Sequence, residues 1–434
     1  MTITQARTVR PTDTTAADLF DYIDAAPSPH HAVAESAVRL TAAGYSWVDE
    51  TEVWPSLPGK WFVTRRGALV AWQRPDGASA GTPIRIVGAH TDSPNLRLKP
   101  RPDVGKAGYK QVAVEVYGGA LLNSWLDRDL GLSGRVMFDS GSGPESVLVH
   151  IDEPLARVTQ LAIHLDREVN DGLRLDKQIH MAPLWGLGNA GDGDVLAFVA
   201  ERLGRSAADI VSADLMFHDL TPCSVVGADR SMYAAPRIDN LASCHAATLA
   251  MASLKPESVA VMALFDHEEV GSTSATGANG AMLGHLLERI ELAAGGDRES
   301  YLRSLARSWC LSADGAHAVH PNYLDRYEPD HHVALNGGPV LKVNANVRYA
   351  TEADGIALFR AAAKQAGVPV QQYSHRTNLA CGSTIGPLTA AELGLSTIDV
   401  GSPQLSMHSA RELGGIEDPA LLTKAIAAFL TSAS

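Results

Sequence analysis

From Val259 onward, short apolar runs alternate with segments of helical period, and this alternation restricts the fold more than any other feature of the chain. The runs at 259–266, 309–313, 340–345 and 397–401 have the length of strands. Residues 281–292, 354–366 and 419–430 repeat their apolar positions as helices do. Strands interleaved with helices of that length predict an α/β sheet with both faces covered. The chain before 99 joins the same scheme. Two helices are expected within 16–43, separated by "APSPHH", then a hairpin in "WFVTRRGALVAWQRP". Ile84, Ile86 and Val87 follow as a short buried strand that ends at His90.

The middle of the chain reads differently. "QVAVEVYGGAL", "LGLSGRVMFDS", "ESVLVHID" and "LAIHLDR" are strand-like runs punctuated by Gly, Ser and Pro. They predict a β-rich module over 99–232, inserted into a discontinuous domain made of 1–98 and 233–434. A helix follows in "PRIDNLASCHAATLAMASL", with Asp239 at the N-cap position. A length of 434 residues suits two such domains.

Composition narrows the function classes. A formal net charge of -13 without a run of Lys or Arg argues against nucleic acid and anionic membrane as partners. Cys223, Cys244, Cys310 and Cys381 form no CxxC pair, which fits reduced thiols in a cytoplasmic protein. The first twenty residues lack an apolar signal core, and no later stretch is long and apolar enough to span a bilayer.

The chemistry sits at the strand ends. His90 and Asp92 follow one strand, Glu268 and Glu269 a second, Asp314 a third, and His408 lies in the loop after a fourth. Open α/β sheets bind ligands at the carboxyl ends of their strands. His90, Asp239, Glu269, Asp314 and His408 make a nitrogen and oxygen ligand set without thiolate, suited to zinc, manganese or cobalt. Five protein ligands are too many for one open catalytic ion, but they suffice for two ions if one carboxylate bridges. Asp92 is placed to accept the second imidazole N–H of His90, and Glu268 to act as general base on a shared water.

Competing signals are weaker. "HEE" is not a HExxH zinc helix, because Gly271 stands where the second histidine belongs. "GNAGDGD" lacks the full ligand run of a calcium loop and reads as a turn. His317, His320, His331 and His332 are explained by solvent or local hydrogen bonds. Neither a GxSxG elbow nor a P-loop is present.

Taken together, "AHTDSPNLRLKP", "SWLDRDLGLSGRV", "PRIDNL", "FDHEEVGS", "SADGAHAVHPNY", "GGPVLKVNANVRYAT", "CGSTIGP" and "GSPQLSMHSARE" resemble the aspartyl aminopeptidases of the M18 metallopeptidase family, in the family's order and over nearly the whole chain. The resemblance implies a di-zinc exopeptidase fold, a mixed sheet covered by helices, with the β-rich insertion serving dimerisation within a tetrahedral dodecamer. It implies that His90 and Asp314 hold one divalent ion and Glu269 and His408 the other, with Asp239 bridging. Glu268 would be the catalytic base and Asp92 the carboxylate behind His90. His164 would reach a neighbouring subunit's site, while Lys342 and Tyr349 would lie near the acidic side chain of a peptide's N-terminal residue. One stretch departs from the pattern: Thr377 and Asn378 stand where an Asn-Asp pair is expected. Alternatives are a related di-zinc exopeptidase of neutral or C-terminal specificity, or a non-catalytic assembly protein that keeps the fold.

Overall fold

The computed structural model describes residues 9–432, so Met1 to Thr8 of the segment read for a signal core lie outside it. The chain divides into two units. The first comprises the described residues up to Asp92, Cys223–Met407, and those from Glu412 on; the second comprises Ser93–Pro222 and His408–Arg411.

The first unit is built on a nine-stranded mixed sheet. Its centre is four parallel strands in the order Val259–Phe265, Ile84–His90, Trp309–Ala313 and Ser396–Gly401. The hairpin Gly59–Arg65 and Ala68–Arg74 extends one side antiparallel, and Val340–Val343 with Gln371–Ser374 extends the other. Strand alternation supplies two separate cores. Val87, Ala89, Ala260, Met262 and Leu264 face the helices Thr14–Ala25, Pro29–Ala42, Ile238–Ser253, Ala353–Gln365 and Asp418–Thr431. Ile84, Ile86, Val259, Val261, Ala263 and Phe265 face Met282–Ala293, Arg298–Leu305 and Ile385–Leu393. With both faces covered, the parallel strands can be apolar throughout, and all seven residues of Val259–Phe265 are buried. A smaller five-stranded sheet, Ser224–Val226, Met232–Ala235, Glu412–Gly415, Pro403–Leu405 and Ala316–His317, completes this unit.

The second unit is a six-stranded antiparallel sheet in the order Pro144–Ala156, Leu130–Asp139, Ile210–Asp219, Asn95–Lys106, Tyr109–Tyr117 and Leu184–Leu187. It also contains a helix, Asp194–Arg202, which the β-rich reading did not include. Val195 and Val199 of that helix share a core with Leu96, Val136, Phe138 and Phe217. "GNAGDGD" leads into the helix: Asp194 accepts the Gly191 N–H at 2.9 Å and pairs with Lys110 at 2.8 Å. No helix among the described residues is long and apolar enough to cross a membrane.

Candidate metal centre

His90 ends its strand fully enclosed, 1% exposed. Its Nδ1 lies 3.0 Å from the carbonyl oxygen of Asp92. A carbonyl only accepts, so Nδ1 carries a proton, and in the neutral imidazole Nε2 presents a lone pair. That lone pair faces Asp239 Oδ1 at 3.3 Å and Asp314 Oδ1 at 3.5 Å. Three electron-rich atoms converging in a dry site repel one another unless a proton or a metal cation lies among them. Glu269 joins the group: donor atoms of His90, Asp239 and Glu269 all lie within 4.8 Å of one another. Imidazole with carboxylates is a donor set for zinc or a neighbouring divalent ion, so the residues present fit such a metal.

Each member is held by its own backbone neighbours. The Asp92 carboxylate accepts the N–H of Glu268 on one oxygen and that of Glu269 on the other, both at 3.1 Å. Its nearer oxygen is 3.5 Å from His90 Nδ1, and its own carbonyl is closer at 3.0 Å. Left-handed backbone at His267 (φ 66°) and Gly271 (φ 97°) brackets the turn that carries the glutamates. Asp239 lies in irregular backbone at the start of Ile238–Ser253, with its Oδ1 3.3 Å from His90 Nε2. Its N–H donates to Glu412 Oε2 at 3.0 Å, while Asn240 Nδ2 donates to the carbonyl of Ala313, one residue before Asp314. Gly315 N–H donates to Asp314 Oδ1 at 2.6 Å.

Negative charge is concentrated at this site. Burial pushes the Glu268 carboxyl up to about 8, with Asp314, Asp239 and Asp92 adding to the rise and His90 opposing it. Burial disfavours an imidazolium at His90, yet Asp239, Asp314 and Asp92 together hold its pKa well above the usual range. Lys342 is the nearby positive group. Only 2% exposed, it donates from Nζ to the Gly315 carbonyl at 2.9 Å, lies 3.6 Å from Asp314 Oδ2, and sits 5.1 Å from the centre of the Tyr349 ring. Partners of this kind are what make a buried ammonium tolerable.

Two other expected residues belong to the second unit. His408 belongs to the second unit, where its Nδ1 meets the Gly119 carbonyl at 3.2 Å, the same tautomer that His90 adopts. Its place in a ligand set rests on the motif that carries it. His164 is exposed in a turn of the second unit. Thr377 lines a cavity of about 600 Å³ with Arg348, His375 and Arg376, and the Asn378 amide oxygen accepts from Arg376 Nε at 2.9 Å. Of the histidines set aside, His331 pairs with Glu328, and His320 accepts the Asn322 N–H at 3.2 Å.

Two supporting residues escaped the sequence reading. Glu412 holds the Asp239 backbone, and its only signal is a charge inside the strand run "RELGG". Asp399 is completely buried in "STIDVG", accepting from Ser312 Oγ, Thr384 Oγ1 and the Ala350 N–H at 2.7, 2.6 and 2.6 Å. Burial raises its carboxyl against the pull of Lys342 and these donors.

Comparison with known proteins gives a consistent result. The family model described as "Aminopeptidase I zinc metalloprotease (M18)" matches residues 22–430. The "Probable M18 family aminopeptidase 2" of Streptomyces coelicolor is 53% identical over 420 residues, covering 95% of this chain and 96% of that protein. Among solved structures, a chain from the "Cryo-EM structure of the Ape4 and Nbr1 complex" matches with a TM-score of 0.93 at 36% identity, over 98% of this chain and 87% of that one. The S. cerevisiae mApe1 dodecamer matches with a TM-score of 0.84 at 27% identity, over 96% of each chain.

Proposed function

The chain belongs to the M18 family of zinc metallopeptidases, and from that premise we propose that it removes single Asp or Glu residues from the N-termini of peptides. The same reading makes it a cytoplasmic homo-oligomer, a tetrahedral dodecamer with the β-rich unit serving dimerisation; the S. cerevisiae mApe1 structure is itself a dodecamer. His90 and Asp314 would hold one divalent ion, and Glu269 and His408 the other, with Asp239 shared by both. Zinc is the first candidate, with manganese and cobalt the alternatives. Two bound ions would supply Lewis acidity toward the scissile carbonyl and acidify a shared water. Glu268 takes the proton of the attacking water and returns it to the departing amine. Asp92 fixes the backbone of both glutamates, so the base and the ligand keep separate places. His164 completes the site of a neighbouring copy.

The observation that carries the acidic preference is the buried Lys342 ammonium beside Asp314. An incoming carboxylate adds to a site already rich in negative charge and needs a positive partner of its own, which Lys342 supplies above the Tyr349 ring. Lys342→Met should therefore lower kcat/KM for peptides beginning with Asp or Glu by about 10-fold to 100-fold, as expected for a lost charge-assisted hydrogen bond. Peptides beginning with Ala or Leu should lose much less. Equal losses on both classes would show that Lys342 serves Asp314 and the metals, and the acidic assignment would fall.

A further inference from the structure

The proposed reaction makes no use of a second histidine–carboxylate cluster, which lies on the sheet of the second unit. His150 and Asp152 are two residues apart on the strand Pro144–Ala156 and so project from one face. His218 belongs to Ile210–Asp219, with Leu130–Asp139 running between the two strands. The Nε2 atoms of His150 and His218 lie 2.9 and 2.8 Å from the same oxygen, Asp152 Oδ1. Donor atoms of all three residues lie within 4.8 Å of one another.

Side chains on strands that are not neighbours rarely meet, because about 10 Å separates them. Here the residue between them is Gly131, paired with His218. A Cβ at that position would stand 2.7 Å from His218 Nε2 and 2.6 Å from the Ile151 carbonyl oxygen. The missing side chain is the space in which the imidazole lies across the strand. A register irregularity between Leu130 and Leu132 adds to this by taking Asp152 out of the regular ladder. The result is a fixed floor and an open mouth: His218 is 4% exposed, whereas the Asp152 side chain is 61% exposed.

We propose that His150, Asp152 and His218 form a binding site for a divalent transition metal, zinc or a close neighbour, with Gly131 as its floor. Two imidazole nitrogens and one carboxylate suit such ions, and the open side leaves room for water as the remaining ligand. The ion takes the place of the protons that the two imidazoles otherwise share with Asp152, and it ties Pro144–Ala156 to Ile210–Asp219 across the strand between them.

The test uses the full-length protein, stripped with a chelator and titrated with Zn²⁺ or Co²⁺, with bound metal counted by equilibrium dialysis and elemental analysis. Circular dichroism verifies that each variant folds. Wild-type protein should bind one equivalent that is weakened on the order of 100-fold in His150→Ala, since disturbing even the hydrogen-bond partner of a ligand costs about 10-fold to 100-fold. Gly131→Ala keeps all three ligands and should lose the same equivalent. His150 is partly exposed, so its variant reports even if Gly131→Ala misfolds. Equal stoichiometry and affinity in wild type and His150→Ala would overturn the site. Loss in His150→Ala with full binding by a folded Gly131→Ala would overturn the role of Gly131 as its floor.

Discussion

Asp92 gives one carboxylate oxygen to each of two consecutive amides, and the glutamates carried by those amides are adjacent in sequence but distinct in expected role. Glu269 groups with His90 and Asp239, whereas burial among carboxylates sets the protonation of Glu268. Glu269→Gln should release metal, measured by elemental analysis, whereas Glu268→Gln should keep it and lose about 10²–10⁴-fold in kcat. Near-normal turnover in Glu268→Gln would remove it as the base. At this scale the sequence was informative where position alone carries meaning. His90, Glu269 and Asp314 stand at or just past strand ends, and Asp239 stands at a helix start. What each polar group touches was not legible. The Asp92 carboxylate serves two amides that lie 176 and 177 residues away, and Glu412 reaches Asp239 across 173 residues. No local pattern records pairs so far apart. His150, Asp152 and His218 escaped for the same reason, since their meeting depends on a glycine in a third strand.

Elements with a strong period were legible to within a residue or two. The strand expected over 309–313 is Trp309–Ala313, and the helix expected over 354–366 is Ala353–Gln365. Helices without that signal were missed. Arg298–Leu305 buries only Tyr301, Ser304 and Leu305. Ile385–Leu393 contains Gly386 and Pro387, poor helix formers in general, but here they fall in the first turn, where an amide hydrogen has no partner within the helix. The helix Asp418–Thr431 offers a test of burial at an element's end. Asp418 accepts the N–H groups of Asn336 and Gly338 at 2.7 and 3.1 Å, yet burial outweighs them and lifts its carboxyl to about 7. A carboxyl raised on folding contributes its full stability below the unfolded value near 3.8, and that contribution is lost as pH rises through about 7. Asp418→Asn cannot titrate. Its stability relative to wild type should therefore improve between pH 4 and pH 8, by up to about 4 kcal/mol at 1.36 kcal/mol per pH unit. Denaturant unfolding at both pH values checks this, and a constant difference would show that Asp418 does not titrate in that range.

For the molecule as a whole, the two-part division of the chain was expected, and the observed units divide at Asp92 and Cys223. What each unit contributes is a matter for assembly. If His164 of one copy completes the site of another, His164→Ala should lower kcat while leaving metal content and oligomer size unchanged, as read by elemental analysis and light scattering. Full activity in a dissociated monomer would exclude the idea. The order of strands has a further consequence, one for the making of the protein. Ile84–His90 lies between Val259–Phe265 and Trp309–Ala313, so both of its neighbours are synthesised long after it. At about 5–20 residues per second, the strand that ends in His90 waits on the order of ten seconds or more for its partners. Apart from His408–Arg411, the second unit is contiguous and antiparallel, so all of its strands are synthesised within that interval. Nascent chains stalled after residue 250 should accordingly resist protease over 93–222 while remaining open to cleavage near His90.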